Sequence, residues 1–196
     1  MREASLVLRI RPYEVDDLTS ATELSLRAFE PVFASLRQVL GPAIFERLHP
    51  DWRSDQRTAV HDVLTDGTTQ AWVAEDGDRV VGFAALRFDT LRRLGEIAML
   101  AVDPAAQRAG VGSALTHHAL ARLEQAGMAV AMVETGGDPG HGPARATYQK
   151  AGFSPLPVVR YFTALGTPDL APQRDSQVAT RPSNQAKSQP AAGQVT

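Results

Sequence analysis

The segment Gln107-Arg108-Ala109-Gly110-Val111-Gly112 carries the strongest chemical signal in the chain. Two glycines in six residues let the backbone approach a ligand closely and adopt conformations that side chains resist. The apolar run Ile97-Ala98-Met99-Leu100-Ala101-Val102 precedes it, and helical spacing follows it. A helix beginning there points its unpaired N–H groups and the positive end of its dipole back at the turn. That arrangement suits a pyrophosphate, and Arg108 adds a mobile positive charge. The segment is not a Walker loop, because Ser113 and Ala114 follow Gly112 and no lysine is present. It is not a complete dinucleotide fingerprint either, because Leu115 stands where a third glycine is needed. On these residues alone, a glycine-rich turn that merely joins strand to helix stays open.

Glu96 is the only charged residue in the otherwise apolar strand Gly95 to Val102. Burial there would raise its pKa toward that of a working general base. The other reading is a strand-edge carboxylate that faces water or pairs with Arg92 or Arg93. His141 lies in the loop Gly136-Gly137-Asp138-Pro139-Gly140-His141-Gly142-Pro143. It can make one hydrogen bond, shuttle protons near neutral pH, or be simply solvated. His117 and His118 are adjacent on a helix and point to different faces, and His49 and His61 have no ligand-spaced partner, so no metal is expected. There is no cysteine, which excludes disulfides, thiolate metal sites and an acyl-cysteine intermediate on this chain.

Strands and helices must hold these groups in place. Leu6 to Arg11 reads as a strand that Pro12 ends. Asp16 or Asp17 can cap a helix carrying Leu18, Leu24 and Phe29, and Pro31 is expected to start the next. Gly41-Pro42 and Pro50-Asp51-Trp52 break the helical pattern again. Thr69 to Ala74 and Arg79 to Leu86 form a hairpin about Glu75-Asp78. Gly95 to Val102 is a central buried strand. Val111, Leu115, Ala119 and Leu123 line one helix face, and Gly127 closes that helix. Met128 to Val133 reads as a second fully apolar strand. Pro143 and Gly152 bracket a further helix, and Val158 to Ala164 reads as a last strand. This order gives a mixed α/β class.

The 196 residues suit one domain, and 43% are hydrophobic, enough for a sizeable core. The net charge of −2 gives no general attraction to nucleic acid or to anionic membranes. No apolar run approaches a membrane span and no signal-peptide core is visible, so a cytoplasmic protein is expected. Residues 166–196 contain no aromatic residue, four prolines and five glutamines. That composition predicts a disordered tail after a domain spanning residues 1–165.

The turn at Gln107–Gly112 fits the pattern Gln/Arg-x-x-Gly-x-Gly/Ala, and it follows Ala101-Val102-Asp103-Pro104. Further on, Tyr148-Gln149-Lys150-Ala151-Gly152-Phe153 fits Tyr-x-Lys-x-Gly-Phe. In both motifs the chain resembles the GNAT superfamily of N-acetyltransferases. The resemblance spans Leu6 to about Leu165, with specific motifs in 96–112 and 144–153.

The resemblance implies a mixed, mostly antiparallel central sheet, splayed between its fourth and fifth strands, with helices on both faces. It implies acetyl-CoA as co-substrate, its pantetheine against Leu100, Ala101 and Val102. Its pyrophosphate would lie on the N–H groups of Arg108, Ala109, Gly110, Val111 and Gly112, with Gln107 opening the loop. Tyr148 matches the general acid that protonates the leaving thiolate. Glu96 lies where some members carry a catalytic glutamate, and others use a water chain. His141 stands where many members have a cofactor-binding asparagine. The acceptor site would lie between Phe29 and Val63, where Glu30 is the best single candidate for binding a cationic amine. The expected partner is a small-molecule amine, and a homodimer is compatible with the resemblance. Neither nucleic acid nor membrane is expected as a partner. The alternative function is a non-catalytic module of the same fold that holds CoA or acyl-CoA.

Overall fold

The apolar run before the glycine-rich turn forms the strand around which the sheet is built. The computed structural model describes residues 8–166. Its sheet has the order β1 (Leu8–Pro12), β2 (Gln70–Asp76), β3 (Arg79–Asp89), β4 (Leu94–Val102) and β5 (Val130–Val133). Each neighbouring pair is antiparallel except β4 and β5, which are parallel. The crossover between them is α4 (Val111–Gln125).

Five helices are described. α1 (Leu18–Leu40), α2 (Pro42–Leu48) and α3 (Trp52–Thr65) cover one face of the sheet; α4 covers the other, and α5 (Gly142–Lys150) follows β5. Side-chain alternation explains the two layers. Phe83, Ala85 and Ala101 pack with Leu24 and Phe29 of α1, Phe45 of α2 and Val60 of α3. Ala84 and Val102 pack with Val111 and Leu115 of α4, as Leu86 and Ile97 do with Ala119 and Leu123. The helical spacing read from Val111, Leu115, Ala119 and Leu123 is therefore the buried face of α4.

The β3–β4 register shifts between Ala85 and Leu86, which pair with Met99 and Ile97. Ala98 is the extra residue of this bulge. It reverses the alternation of β4, so that Met99 and Ala101 both join the α1–α3 layer. At the edge of the sheet, Arg11 on β1 donates to Asp17 ahead of α1 and to Glu75 on β2.

Several elements depart from the sequence reading. Pro31 starts no helix, because α1 runs through it unbroken from Leu18 to Leu40. Proline removes one N–H donor, and packing of the apolar face outweighs that loss here. Asp17 occupies the N-cap position of α1 but does not cap that helix with its side chain, which accepts from Arg11 and from the Glu14 N–H of the turn before it. β5 is apolar yet not buried, because it is an edge strand with Val130 and Met132 exposed. Val158 to Ala164 forms no strand. Pro155 and Pro157 remove ladder donors just before it, and Val158, Val159 and Tyr161 are exposed. The tail expected over residues 166–196 lies, but for its first residue, outside the described residues.

Candidate functional site

β4 and β5 pair only from Leu94↔Val130 to Ile97↔Val133. β5 ends there, whereas β4 continues five residues to Val102. Alternate peptide groups of that free stretch face an opening rather than a partner strand, and unpaired buried peptide groups are costly unless something pairs them. The opening widens into a cleft of about 730 Å³. α1 supplies one wall through Phe29, Pro31 and Val32, and α5 the other through Ala144, Thr147 and Tyr148.

The glycine-rich turn closes one end. Asp103 accepts from the Ala105 N–H and from Arg27 on α1, which pins the chain as it leaves β4. The Gln107 side chain donates to the Val102 carbonyl at 3.2 Å and so ties the turn to the strand end. Arg108 and Gly110 have positive φ, 64° and 87°. At Gly110 that conformation explains the glycine; at Arg108 it is a strained backbone held next to the cleft. Among the described residues, no protein group accepts the N–H of Arg108, Ala109 or Gly110. The first-turn N–H groups of α4, from Val111 to Ser113, have no intrahelical acceptor by construction. These donors lie at the end of the cleft, an arrangement that suits an anion. Gln107, Arg108, Gly110, Gly112, Leu100, Ala101 and Val102 all line it. Ala109 and Val111 are not in the lining; they bring their backbone N–H groups to the turn, and the Val111 side chain is buried against the sheet.

Tyr148 lies in the cleft wall and is 8% exposed. Its ring meets Phe153 edge-on at 5.8 Å. Burial pushes its pKa up to about 12, so the phenol keeps its proton throughout the physiological range. Its hydroxyl has no hydrogen-bond partner among the described residues and is free to meet a ligand.

His141 is also in the lining, 6% exposed. Its Nδ1 is held by the Asp138 carboxylate, whose own side chain is 5% exposed. Asp138 and His141 stand three residues apart across the 3₁₀ turn Pro139–His141, where side chains at that spacing eclipse. Asp138 also accepts from the Gly140 N–H. Hydrogen bonds from Ser35, His141 and Gly140 hold its carboxyl below the usual range, against the opposing effect of burial. Ser35 on α1 accepts from the same Gly140 N–H at 2.9 Å. Arg145 donates to the carbonyls of Gly136 and Asp138 and fixes the loop from α5.

The remaining two candidates stand apart from the cleft. Glu96 is not in its lining; it faces Arg87, its cross-strand neighbour on β3, at 3.5 Å. Glu30 is exposed, pairs with Arg53 of α3 at 2.7 Å, and is not in the lining either. Charged groups that do line the cleft are Arg108, Glu134 and Lys150. Sequence reading missed Ser35, Glu134 and the Asp138 partnership. Only the last had a visible signal, an aspartate three residues before a histidine with a proline between them.

A splayed parallel pair, a set of unpaired N–H groups at one end and a buried phenol on the facing wall make up the cleft. The pattern of the "Acetyltransferase (GNAT) family" matches residues 34–153. The chain belongs to that family. It is 34% identical over 146 residues to a mycothiol acetyltransferase of Segniliparus rotundus, covering 64% of this chain and 54% of the relative. A mycothiol acetyltransferase of Sanguibacter keddieii is 34% identical over 143 residues, covering 68% of this chain and 44% of the relative. The chain thus spans about half the length of these curated relatives or less. Among solved structures, a GNAT-family protein of Desulfovibrio desulfuricans has a TM-score of 0.61 at 19% identity, covering 80% of this chain and 91% of the other. The PaiA N-acetyltransferase of Thermoplasma acidophilum, in complex with coenzyme A, has a TM-score of 0.56 at 14% identity, covering 75% and 89%. These two show the fold: a mixed α/β sheet splayed between its fourth and fifth strands, with helices on both faces.

Proposed function

We propose that this chain is an acetyl-CoA-dependent N-acetyltransferase that acts on the primary amine of a small molecule by direct attack on the thioester. One observation carries the reading: the opening beside Ala98–Val102 leads from the N–H cradle at Arg108–Ser113 to the Tyr148 hydroxyl. The β4 edge would pair the amides of the pantetheine arm, and the cradle would take the pyrophosphate. Acetyl-CoA supplies the activated acyl group. The chain's own work is to hold the thioester carbonyl near the amine, exclude water and move two protons. Tyr148 holds one of those protons beside the position of the leaving sulfur. Kinship with mycothiol acetyltransferases supports acyl transfer to a small molecule, and the cleft volume is that of a small-ligand site.

Calorimetric titration with acetyl-CoA, followed by thiol release against a panel of amines, tests this. The panel should include aminoglycosides, polyamines, amino acids and the acceptor of the mycothiol acetyltransferases. Thiol release matched by amide formation is the expected result. Tight acetyl-CoA binding with no release for any amine overturns it and leaves a module that only holds the ligand.

A further inference from the structure

His141 has an unusual balance of contacts. Its Nδ1 is engaged by Asp138, while its Nε2 is buried in the cleft wall and has no partner among the described residues. A buried ring nitrogen left unpaired is costly, so an orphan in a residue that lines the cleft points to a partner on the ligand. The surroundings are shaped to keep the ring there. A Cβ on Gly136 would overlap the imidazole, and one on Gly140 would lie 2.8 Å from Ser35 Cβ and 3.0 Å from Val32 Cα. Both glycines are therefore required by close packing around the pair. Asp138 accepts the Nδ1 proton, which leaves Nε2 with its lone pair free in the wall of the cleft.

We infer that Asp138 and His141 form the proton-accepting pair of the acetyl transfer, with Nε2 as the base for the acceptor amine and Asp138 as its positioning residue. The inference rests on the function proposed above. As the amine nitrogen bonds to the acetyl carbonyl carbon, its proton passes to Nε2. The carbon–sulfur bond then breaks, its electron pair goes to sulfur, and sulfur takes the phenolic proton of Tyr148. The imidazolium returns its proton to solvent and the phenolate regains one, so the products are the amide and CoA thiol. His141, the N-cap of α5, and Tyr148 within it are seven residues apart, about two helical turns, on one face and separated by roughly 10 Å of helix rise. That leaves space for the reacting centre between them. Glu96 lies outside the cleft lining and faces Arg87 instead.

The charged and titratable groups around the pair are few. The loop contributes Asp138 itself; α5 contributes Arg145, Tyr148 and Lys150; the end of β5 contributes Glu134; and the glycine-rich turn contributes Arg108. From α1 the facing polar group is the uncharged Ser35.

The decisive experiment measures kcat/KM for acetyl transfer against pH in the wild type, His141→Asn and Asp138→Asn. The wild type should show an acid limb of unit slope. In His141→Asn that limb should vanish and the neutral-pH rate should fall about 10²–10³-fold, the range of general-base catalysis, while acetyl-CoA affinity is retained. In Asp138→Asn kcat should fall while KM for acetyl-CoA changes little, because the imidazole loses the partner that fixes its ring and tautomer. A limb that survives in His141→Asn, or that is lost in Glu96→Gln, overturns the assignment. Nitrogen-15 NMR of the histidine-labelled native chain gives a readout that needs neither a variant nor turnover. The Nδ1–H tautomer is expected for His141, and the Nε2–H tautomer, which cannot accept a proton, overturns the proposal. A wild type that transfers acetyl to no amine overturns the proposed function itself, and the base role with it.

Discussion

Tyr148 has two environments at once. Its ring is part of the core beside Phe153, and its hydroxyl has no hydrogen-bond partner among the described residues. Removing the hydroxyl therefore deletes chemistry and leaves packing intact. In Tyr148→Phe, kcat for acetyl transfer should drop by about 10²-fold or more, the scale of one general acid. Acetyl-CoA affinity and melting temperature should stay near those of the wild type. Full turnover in steady-state assays would remove Tyr148 from the proton path. At this scale the sequence was informative where a residue's setting is local. Tyr148 and the glycines of the turn sit in short motifs, and their neighbours are fixed by one strand–turn–helix unit. Glu96 and Glu30 were harder to place, because Arg87 and Arg53 reach them from other elements through cross-strand register and helix packing. Neither contact can be read from spacing along the chain.

Elements differ in how much of their context the chain itself dictates. α4 and the turn before it were legible because periodicity, glycine placement and the preceding apolar strand all agree. The bulge at Ala98, the exposure of β5 and the absence of a strand at Val158–Ala164 depend on which edges remain unpaired, and composition says nothing about that. Two predictions belong here. Gly110 takes its positive φ in the N–H cradle, with open space around it. Gly110→Ala should cost about 1 kcal/mol in stability. It should raise the acetyl-CoA dissociation constant in calorimetry severalfold while changing kcat little, because the cradle lies at the end of the cleft away from Tyr148. An unaltered dissociation constant would show that the turn only joins strand to helix. The second compares two ion pairs. Arg11 joins β1, the turn before α1 and β2 through Asp17 and Glu75, and all three side chains are no more than about a fifth exposed. Arg11→Met strands two largely buried carboxylates, and a loss of about 3 kcal/mol is expected from urea unfolding. Arg53→Met breaks the pair with Glu30, in which both side chains are at least half exposed, so it should cost less than about 1 kcal/mol.

Across the whole molecule, the shifted groups set the pH range in which the fold is most stable. On the acid side, burial lowers the pKa of His49 and His118. The unfolded chain protonates these rings near their ordinary value of about 6.5 before the folded chain does, so stability falls as pH drops through that value. Asp17, Asp103 and Asp138 extend the loss to lower pH. Hydrogen bonds from Arg11, Arg27 and Ser35 respectively lead the lowering of their pKa values, against the effect of burial. Their contribution is complete above the ordinary carboxylate pKa and disappears as pH falls through the depressed folded values. On the alkaline side the sign reverses. Burial raises Tyr13, with help from the charge of Asp17, and raises Tyr148 to about 12. Between pH 10 and 12 the unfolded chain releases its Tyr148 proton while the folded chain keeps it, so stability falls with rising pH. A shift of that size is worth about 2–3 kcal/mol by linkage. Unfolding free energy should thus have a plateau from about pH 7 to 9.5 and fall on both sides. Denaturant titrations of the wild type and Tyr148→Phe at pH 9 and pH 11 isolate the alkaline contribution. The wild type should lose more stability than the variant between the two pH values, with the excess set by the one buried phenol. Equal losses would mean that Tyr148 ionises as readily in the folded chain as in the unfolded one. A phenol that ionises so readily is open to water, and the cleft wall would not be dry enough to hold a proton for the leaving sulfur.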